Sequence, residues 1–168
     1  KNVATPQDPS SARYNEAVYF FYPRTVILSY LSAWHIANED CRKKNVPVIS
    51  FGNEMIQAHL FQLLALAAVW YVFGATILLY FLCAALMGIL LLETVNYIEH
   101  YGLQRKETAP GKFERAMPVH SWNSSHPLGR IMLFELSRHS DHHYLASKKY
   151  QLLEHHENAP QLPTGYPG

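Results

Sequence analysis

The chain is polar at both ends and strongly apolar in its middle. From Met55 to Leu92 it contains no Asp, Glu, Lys or Arg. One straight helix of that length would run nearly twice the hydrocarbon thickness of a bilayer, which is about 30 Å. The pattern therefore predicts two transmembrane helices, over residues 54–72 and 75–98, that turn near Phe73-Gly74.

A buried hairpin in a soluble bundle would also be apolar, but the flanking charges favour a membrane. Basic residues stand on both sides of the stretch: Arg42, Lys43 and Lys44 before it, and Arg105 and Lys106 after it. The positive-inside rule places both ends in the cytoplasm. We expect His59 and Gln62, inside the first span, to make packing contacts rather than to bind metal.

Residues 1–11 indicate an irregular lead-in, because they contain two prolines and several turn formers. Residues 12–44 are amphipathic and rich in aromatic side chains, and Pro23 is expected to kink or divide them. Two interpretations stay open for this segment. It is either a pair of packed helices or a helix at the membrane surface, where tyrosine and tryptophan are enriched.

Candidate chemistry is concentrated in Arg138-His139-Ser140-Asp141-His142-His143. Its histidines are spaced at positions x, x+3 and x+4. On a helix these offsets place all three imidazoles within about 60° of one line, close enough to bind one metal ion. A lone histidine is usually a packing or surface residue, but imidazoles clustered on one face are typical of zinc, copper or iron sites.

A fourth candidate ligand, His100, lies at the end of the second predicted span. Glu93, Asn96 and His100 form one polar stripe at offsets of three and four residues. Ionisable groups at the end of a membrane helix are costly unless they face protein, water or metal. We predict that His100 binds metal and is held by neighbouring polar groups, since a metal-bound histidine normally donates through its second nitrogen.

The remainder is predicted as a loop over residues 101–125, a histidine-box helix region over 127–157 and a C-terminal loop over 158–168. Ser125 is the expected N-cap of a helix that runs from Pro127 into the cluster. We expect the adjacent pair His155-His156 to be solvated rather than to bind metal.

Composition narrows the function classes. A formal net charge of +1 gives no argument for a nucleic-acid partner. The two cysteines, Cys41 and Cys83, are far apart, which argues against a disulfide framework. The chain has 10 histidines, and four of them could fill one metal ion. A second metal ion or an open catalytic position would require further ligands.

Four stretches resemble the bacterial integral-membrane alkane monooxygenases, which depend on rubredoxin. The stretches are Asn96-Tyr97-Ile98-Glu99-His100-Tyr101-Gly102-Leu103, Leu136 to His143, His120-Ser121-Trp122-Asn123-Ser124 and Pro160 to Tyr166. The resemblance extends to the lead-in residues Val3-Ala4-Thr5-Pro6 and so covers essentially the whole chain. A lone HxxHH would be unspecific, because membrane desaturases share it, but the eight-residue stretch is specific.

The resemblance implies an all-α membrane fold of six helices and two non-haem iron ions bound by nine histidines. Position by position, four of these ligands correspond to His100, His139, His142 and His143. The other five belong to two upstream boxes, of the HExxHK and EHxxGHH kinds, that are not in this chain. The chain therefore resembles the C-terminal half, a partial fold that we expect to be inactive alone.

The implied activity is oxygen-dependent hydroxylation of an alkane's terminal methyl group, in the bacterial inner membrane with the active site toward the cytoplasm. Rubredoxin would deliver electrons near the basic residues Arg105, Lys106, Lys148 and Lys149. Candidate residues that support the ligands are Glu93, Asn96, Glu99, Trp122, Asn123 and Asp141. The sequence departs from the family pattern at Ser137, usually glutamine, and over residues 144–147, usually Ala-x-Pro-Thr.

Two alternatives remain. The first is a related histidine-box oxygenase, such as a xylene-type monooxygenase or a lipid desaturase. The second is a non-catalytic membrane module that binds a metal such as zinc. The stretch from Asn96 to Leu103 favours an alkane over a lipid substrate.

Overall fold

A computed structural model describes residues 2–163 and 165 of this predominantly helical chain. Its elements are α1 (Val18–Lys43), α2 (Glu54–His100), β1 (Glu107–Ala109), β2 (Lys112–Phe113), α3 (Pro127–Met132) and α4 (His139–Tyr144). Two 3₁₀ turns, Pro118–His120 and Tyr150–Leu152, complete them. Residues 1, 164 and 166–168, which belong to the predicted lead-in, C-terminal loop and Pro160–Tyr166 match, lie outside the described residues.

The chain divides into two compact units. One unit comprises residues 24–91, and the other comprises residues 1–23 together with 92–168. The candidate ligands all belong to the second unit.

In the unit of residues 24–91, α1 and α2 are joined by a turn that Asn53 organises. This side chain is fully buried. Its Oδ1 accepts the N–H of Met55 (3.0 Å), as an N-cap does. Its Nδ2 donates to Oδ1 of Asn38 (3.0 Å) and to the carbonyl of Val48 (2.8 Å). One amide therefore caps α2 and ties it to α1.

His59 makes packing contacts near the start of α2. Its Nε2 lies 2.9 Å from the hydroxyl of Tyr30 and its Nδ1 lies 2.6 Å from the carbonyl of Met55. The ring of Trp34 lies 5.5 Å away, centroid to centroid. These contacts use both ring nitrogens, as expected for a packing residue. Gln62, by contrast, is exposed.

Helix α1 runs through Pro23, so of the two expected effects, a kink or a division, the division does not occur. This proline lies in the second turn of α1. A proline removes the hydrogen bond that its own N–H would donate to the carbonyl four residues earlier. The carbonyl that loses this hydrogen bond is that of Tyr19, in the first turn of the helix. The helix also begins later than predicted, at Val18 rather than Ala12.

Helix α2 is interrupted at Gly74, whose backbone is non-helical with φ 80° and ψ 176°. The apolar pattern predicts the turn between two spans at this glycine. A positive φ favours glycine, because a Cβ would be strained there. In the described part of the chain, α2 is the one helix long and apolar enough to cross a membrane.

The predicted loop of residues 101–125 is more ordered than expected. Strands β1 and β2 pair in antiparallel fashion around a turn at Pro110-Gly111, where Gly111 has φ 71°. The carboxylate of Glu107 accepts the N–H of Gly111 (2.7 Å). Such short strands have few side chains to alternate, which is why the polar pattern indicated only a loop.

Residues between Ala4 and Phe21 pack against the end of α2 and the chain that follows it. The N–H of Gly102 donates to the carbonyl of Ala12 (3.0 Å), and that of Arg105 donates to the carbonyl of Ala4 (2.7 Å). Both alanines are buried. Phe21 is fully buried against the ring of Tyr97, with centroids 5.3 Å apart. These contacts hold the end of α2 in its unit.

The prediction of a continuous helix from Pro127 into the histidine cluster is wrong. Helix α3 ends at Met132, and Phe134 and Glu135 have positive φ values of 50° and 64°. The side chain of Arg130 donates two hydrogen bonds of 2.8 Å to the carboxylate of Glu135, which stabilises the corner. The predicted cap is also wrong, because His126 occupies the N-cap position.

Replacing Asn53 with alanine tests the link between the helices. We expect Asn53→Ala to lower the free energy of unfolding by at least about 2 kcal/mol, because it removes a cap and two buried hydrogen bonds. Thermal unfolding in detergent, followed by circular dichroism at 222 nm, measures the change. Lys44→Ala, at an exposed side chain nearby, is the control; equal stability of the two variants would contradict this role.

The corner between α3 and α4 should be sensitive to acid. Hydrogen bonds from Arg130 lower the pKa of Glu135 below its ordinary value of 4.5. The stabilisation is therefore present above the unfolded pKa and is lost as pH falls through the lower folded pKa. We expect Glu135→Gln to lower the melting temperature at pH 7 and the difference to shrink below pH 4.5. Glu157→Gln, at an exposed glutamate, is the control. A change in melting temperature that is the same at every pH, or that the control also shows, would contradict the role of Glu135.

Candidate metal centre

Three histidines from two helices meet at one point. His100 is the last residue of α2, and His139 and His143 lie one turn apart on α4. One ligand atom from each lies within 4.8 Å of the other two. Three of the four predicted ligands therefore come together across a sequence separation that no local pattern specifies.

The spacing of the nitrogens suits a metal ion. Nε2 of His139 and Nε2 of His100 are 3.2 Å apart. Two imidazole nitrogens that each lie about 2.0–2.1 Å from one ion are separated by about 2.8–3.0 Å in octahedral geometry and by about 3.3–3.4 Å in tetrahedral geometry. The ring centroid of His143 lies 4.2 Å from that of His139 and 5.1 Å from that of His100. The three rings thus leave their nitrogens near one centre.

Burial keeps these imidazoles in the form that binds metal. His100 and His139 are buried. Burial lowers the pKa of His100 to about 4 and that of His143 to about 3. It also lowers the pKa of His139 well below its ordinary value, and the neighbouring imidazoles add to the effect. Neutral imidazole has a lone pair to offer, so the cluster is ready for a cation at neutral pH.

Several ring nitrogens of the cluster are buried without a hydrogen-bond partner in the described chain. They are Nδ1 of His100, Nδ1 of His139 and Nε2 of His143. An unpaired buried polar atom costs free energy, on the order of 1–3 kcal/mol. The two Nδ1 atoms lie across their rings from the Nε2 atoms that are 3.2 Å apart, so an ion held by those Nε2 atoms would satisfy only Nε2 of His143 among the three. The donor set fits a metal that accepts imidazole, and imidazole alone does not choose among zinc, copper and iron.

His142 lies beside this group but outside it. Its ring centroid is 5.8 Å from that of His139 and 5.4 Å from that of His143. It is half-buried. Its nitrogens do not join the three-histidine group within the described residues.

The polar stripe of α2 is arranged differently from the prediction. Asn96 donates to the carboxylate of Glu93 (3.2 Å), and Nδ1 of His100 has no hydrogen-bond partner among the described residues. Asn96 and Glu93 are neighbours one turn apart, so they satisfy each other instead. Glu99, nearly fully buried, lies with Oε2 3.2 Å from Nε2 of His139. The acidic contact to the cluster therefore comes from Glu99.

Trp122 and Asn123 connect the ligand-bearing helices. The indole N–H of Trp122 donates to the carbonyl of Tyr101 (2.9 Å), and its backbone N–H donates to that of Glu99 (2.9 Å). Asn123, fully buried, accepts a hydrogen bond from the hydroxyl of Ser140 (3.1 Å). These two adjacent residues thus contact the end of α2 and the start of α4.

Asp141 is bonded to the C-terminal segment rather than to the clustered imidazoles. Its Oδ2 accepts from Nζ of Lys148 and from the backbone N–H of Glu154, and its Oδ1 lies near Nε2 of His156, each at 2.8 Å. Burial alone would raise the pKa of Asp141, but these hydrogen bonds outweigh it and lower that pKa to about 2.

The expectation that His155-His156 is solvated is wrong for His156. His155 is exposed, although its Nδ1 lies 2.9 Å from the hydroxyl of Ser125. His156 is half-buried against Asp141, which is 15 residues earlier. No periodicity links residues across such a separation, so the sequence carries no signal for this contact.

The chain is similar to known proteins over nearly its whole length. The family model described as fatty acid desaturase matches residues 1–167. Alkane 1-monooxygenase 1 of Pseudomonas aeruginosa is 42% identical over 99% of this chain and 44% of its own length. Alkane 1-monooxygenase of Acinetobacter baylyi is 40% identical over 99% of this chain and 41% of its own.

A more distant relative is a xylene/toluene monooxygenase hydroxylase component of Pseudomonas putida. It is 27% identical over 95% of this chain and 42% of its own length. The chain thus spans less than half of the length of each of these relatives. The resemblance found in the motifs is confirmed, and the alkane relatives are more similar than the xylene one.

The three-histidine cluster should bind a divalent cation by itself. We expect Co²⁺ titration of the purified chain in detergent to give a ligand-field absorption band. Loss of a residue that only supports a ligand weakens metal binding by about 10–100-fold. We expect His143→Ala, which removes a ligand, to weaken Co²⁺ binding by at least that factor. His35→Ala, an exposed histidine on α1, is the control. Parent-like binding by His143→Ala would contradict the site.

Proposed function

This chain belongs to the fatty acid desaturase family, and we propose that it is part of a membrane di-iron monooxygenase that hydroxylates the terminal methyl group of alkanes to primary alcohols. The substrates would be an alkane and O₂, and rubredoxin would supply the electrons. The names of the relatives at 38–42% identity support this choice within the family. The single structural observation that carries it is the meeting of His100, His139 and His143.

Hydroxylation of a terminal methyl group requires a metal cofactor. The methyl C–H bond offers no acidic proton and no polar handle, so acid–base catalysis by side chains is ineffective. Two non-haem iron ions, when bound, would supply the oxidising chemistry, while the protein supplies ligands and orientation. The donors present here suit iron, because neutral imidazole is one of its usual ligands.

His142 completes the proposed set of four ligands from this chain. It shares the helical face of His139 and His143, and its ring is close to both. Because it stands outside the three-histidine group, we assign it to the second iron ion. The five further histidine ligands would come from the two upstream boxes of the resemblance.

The chain's own residues orient the imidazoles. The carboxylate of Glu99 lies 3.2 Å from Nε2 of His139, the nitrogen that also approaches Nε2 of His100, and favours the tautomer in which that nitrogen carries the proton. Asn123 holds Ser140, the residue next to His139, through a buried hydrogen bond. Trp122 ties the end of α2 to the segment that carries Asn123. These contacts would fix α4 against His100.

We further propose that α2 folds into two spans, residues 54–72 and 75–98, around Gly74, with both ends in the cytoplasm of a bacterial cell. The non-helical backbone of Gly74 and the charge-free sequence support this arrangement. The alkane would then enter from the bilayer past α2 side chains that the structure leaves exposed. They are Leu86, Ile89 and Leu92.

The proposed rubredoxin surface is smaller than the sequence suggests. Lys148 is bonded to Asp141 and Glu154, and Arg105 donates to the carbonyl of Glu114. Lys106 and Lys149 are exposed. These two lysines are therefore the better candidates to meet an acidic electron carrier.

Replacement of ligands in the complete protein tests the function. We expect His139→Ala, His142→Ala and His143→Ala each to abolish conversion of octane to 1-octanol and to reduce iron content. Product analysis by gas chromatography and metal analysis by mass spectrometry measure the two effects. His35→Ala should retain both properties, and normal iron content in all three variants would refute the assignment.

Two other functions predict different results from the same preparation. A xylene-type monooxygenase or a lipid desaturase would oxidise xylene or a fatty acyl substrate in preference to octane. A non-catalytic module would bind a metal such as zinc and yield no product from any of the three. The 27% identity to a xylene/toluene hydroxylase component makes xylene the first competitor to test.

A further inference from the structure

The carboxylate of Asp141 is held by three donors of one segment, residues 148–156. Two of them, Nζ of Lys148 and the N–H of Glu154, share Oδ2. Nε2 of His156 lies 2.8 Å from the other oxygen, Oδ1. With both oxygens engaged, the carboxylate cannot rotate freely, and it is not available as a metal ligand.

Asp141 faces away from the metal-binding side of α4. At about 100° per residue, the three histidines of this helix centre on one direction, and Asp141 points about 150° from it. The carboxylate is accordingly bonded to the C-terminal segment, while the imidazoles of His139 and His143 lie against that of His100. Helix α4 thus contacts the C-terminal segment on one face and His100 on the opposite face.

Helix α4 has little stability of its own. It has six residues, and its N-cap residue Arg138 makes no side-chain capping hydrogen bond. Isolated helices shorter than about 12–15 residues are marginal in water, so the orientation of α4 must come from tertiary contacts. The three hydrogen bonds of the buried Asp141 are contacts on the face opposite the ligands.

We propose that His156 is a positioning residue for the metal centre. By donating to Oδ1 of Asp141, it fixes the plane of that carboxylate and so the rotation of α4 about its axis. That rotation decides whether the imidazoles of His139 and His143 converge with that of His100. The inference deepens the proposed function, on whose metal site it rests.

The test compares Co²⁺ affinity and the ligand-field spectrum of variants in the full chain. We expect His156→Ala to weaken Co²⁺ binding by about 10–100-fold, the usual effect of losing a supporting partner, and to change the spectrum. His156→Gln should restore most of the affinity, because its amide can donate to Asp141. A purely structural role would lower the melting temperature without altering the spectrum.

Gln161→Ala is the matched control. Its Nε2 donates to the carbonyls of His156 and Ala159, and its Oε1 accepts a long hydrogen bond from Asn123 (3.5 Å). Its loss therefore loosens the C-terminal chain without touching Asp141 or the bond from Ser140 to Oδ1 of Asn123. This variant should bind Co²⁺ like the parent. If His156→Ala loses the parent far-ultraviolet circular dichroism, His156→Phe, which keeps a ring but no N–H donor, is used in its place.

The outcomes separate this inference from the function on which it rests. A parent chain that binds no Co²⁺ refutes the metal site. A parent that binds while the His156→Ala variant binds equally well refutes only the role of His156. Equal loss in the His156→Ala and Gln161→Ala variants also overturns it, since the segment would then act as a general tether.

Discussion

The candidate metal centre depends on burying uncharged imidazoles where a long apolar helix ends. His100 is the last residue of α2 and is 3% exposed. An imidazolium ion in such surroundings would be costly, so burial keeps the ring neutral and able to bind a cation. The Nε2 of this ring lies 3.2 Å from that of His139, where one cation could bind both.

The hydrogen bonds around the cluster hold α4 against the end of α2. The helix has only six residues, so it relies on Asn123 on one side and the C-terminal segment on another. The lead-in residues hold the chain just after His100. The site is therefore a product of tertiary contacts, and no one element could form it alone.

The sequence predicted which histidines lie together better than it predicted the local fold, although His142 stands outside the group. Helical spacing and the apolar run were enough to indicate His100, His139 and His143, because periodicity is a local property. The corner at Phe134 and Glu135 could not be foreseen, since neither residue type favours a positive φ. The bond between His156 and Asp141 was hidden for a different reason, because it depends on how two irregular segments pack.

The distance in sequence between the two ligand-bearing helices has a further consequence. His100 and His139 are 39 residues apart, so an ion bound to both would act as a reversible crosslink that closes a long loop. A covalent link across a loop of that length stabilises a fold by about 4 kcal/mol, through the entropy it removes from the unfolded chain. Metal supply would then affect the free energy of unfolding of the intervening segment, with its small β-hairpin, as well as whether the site is filled.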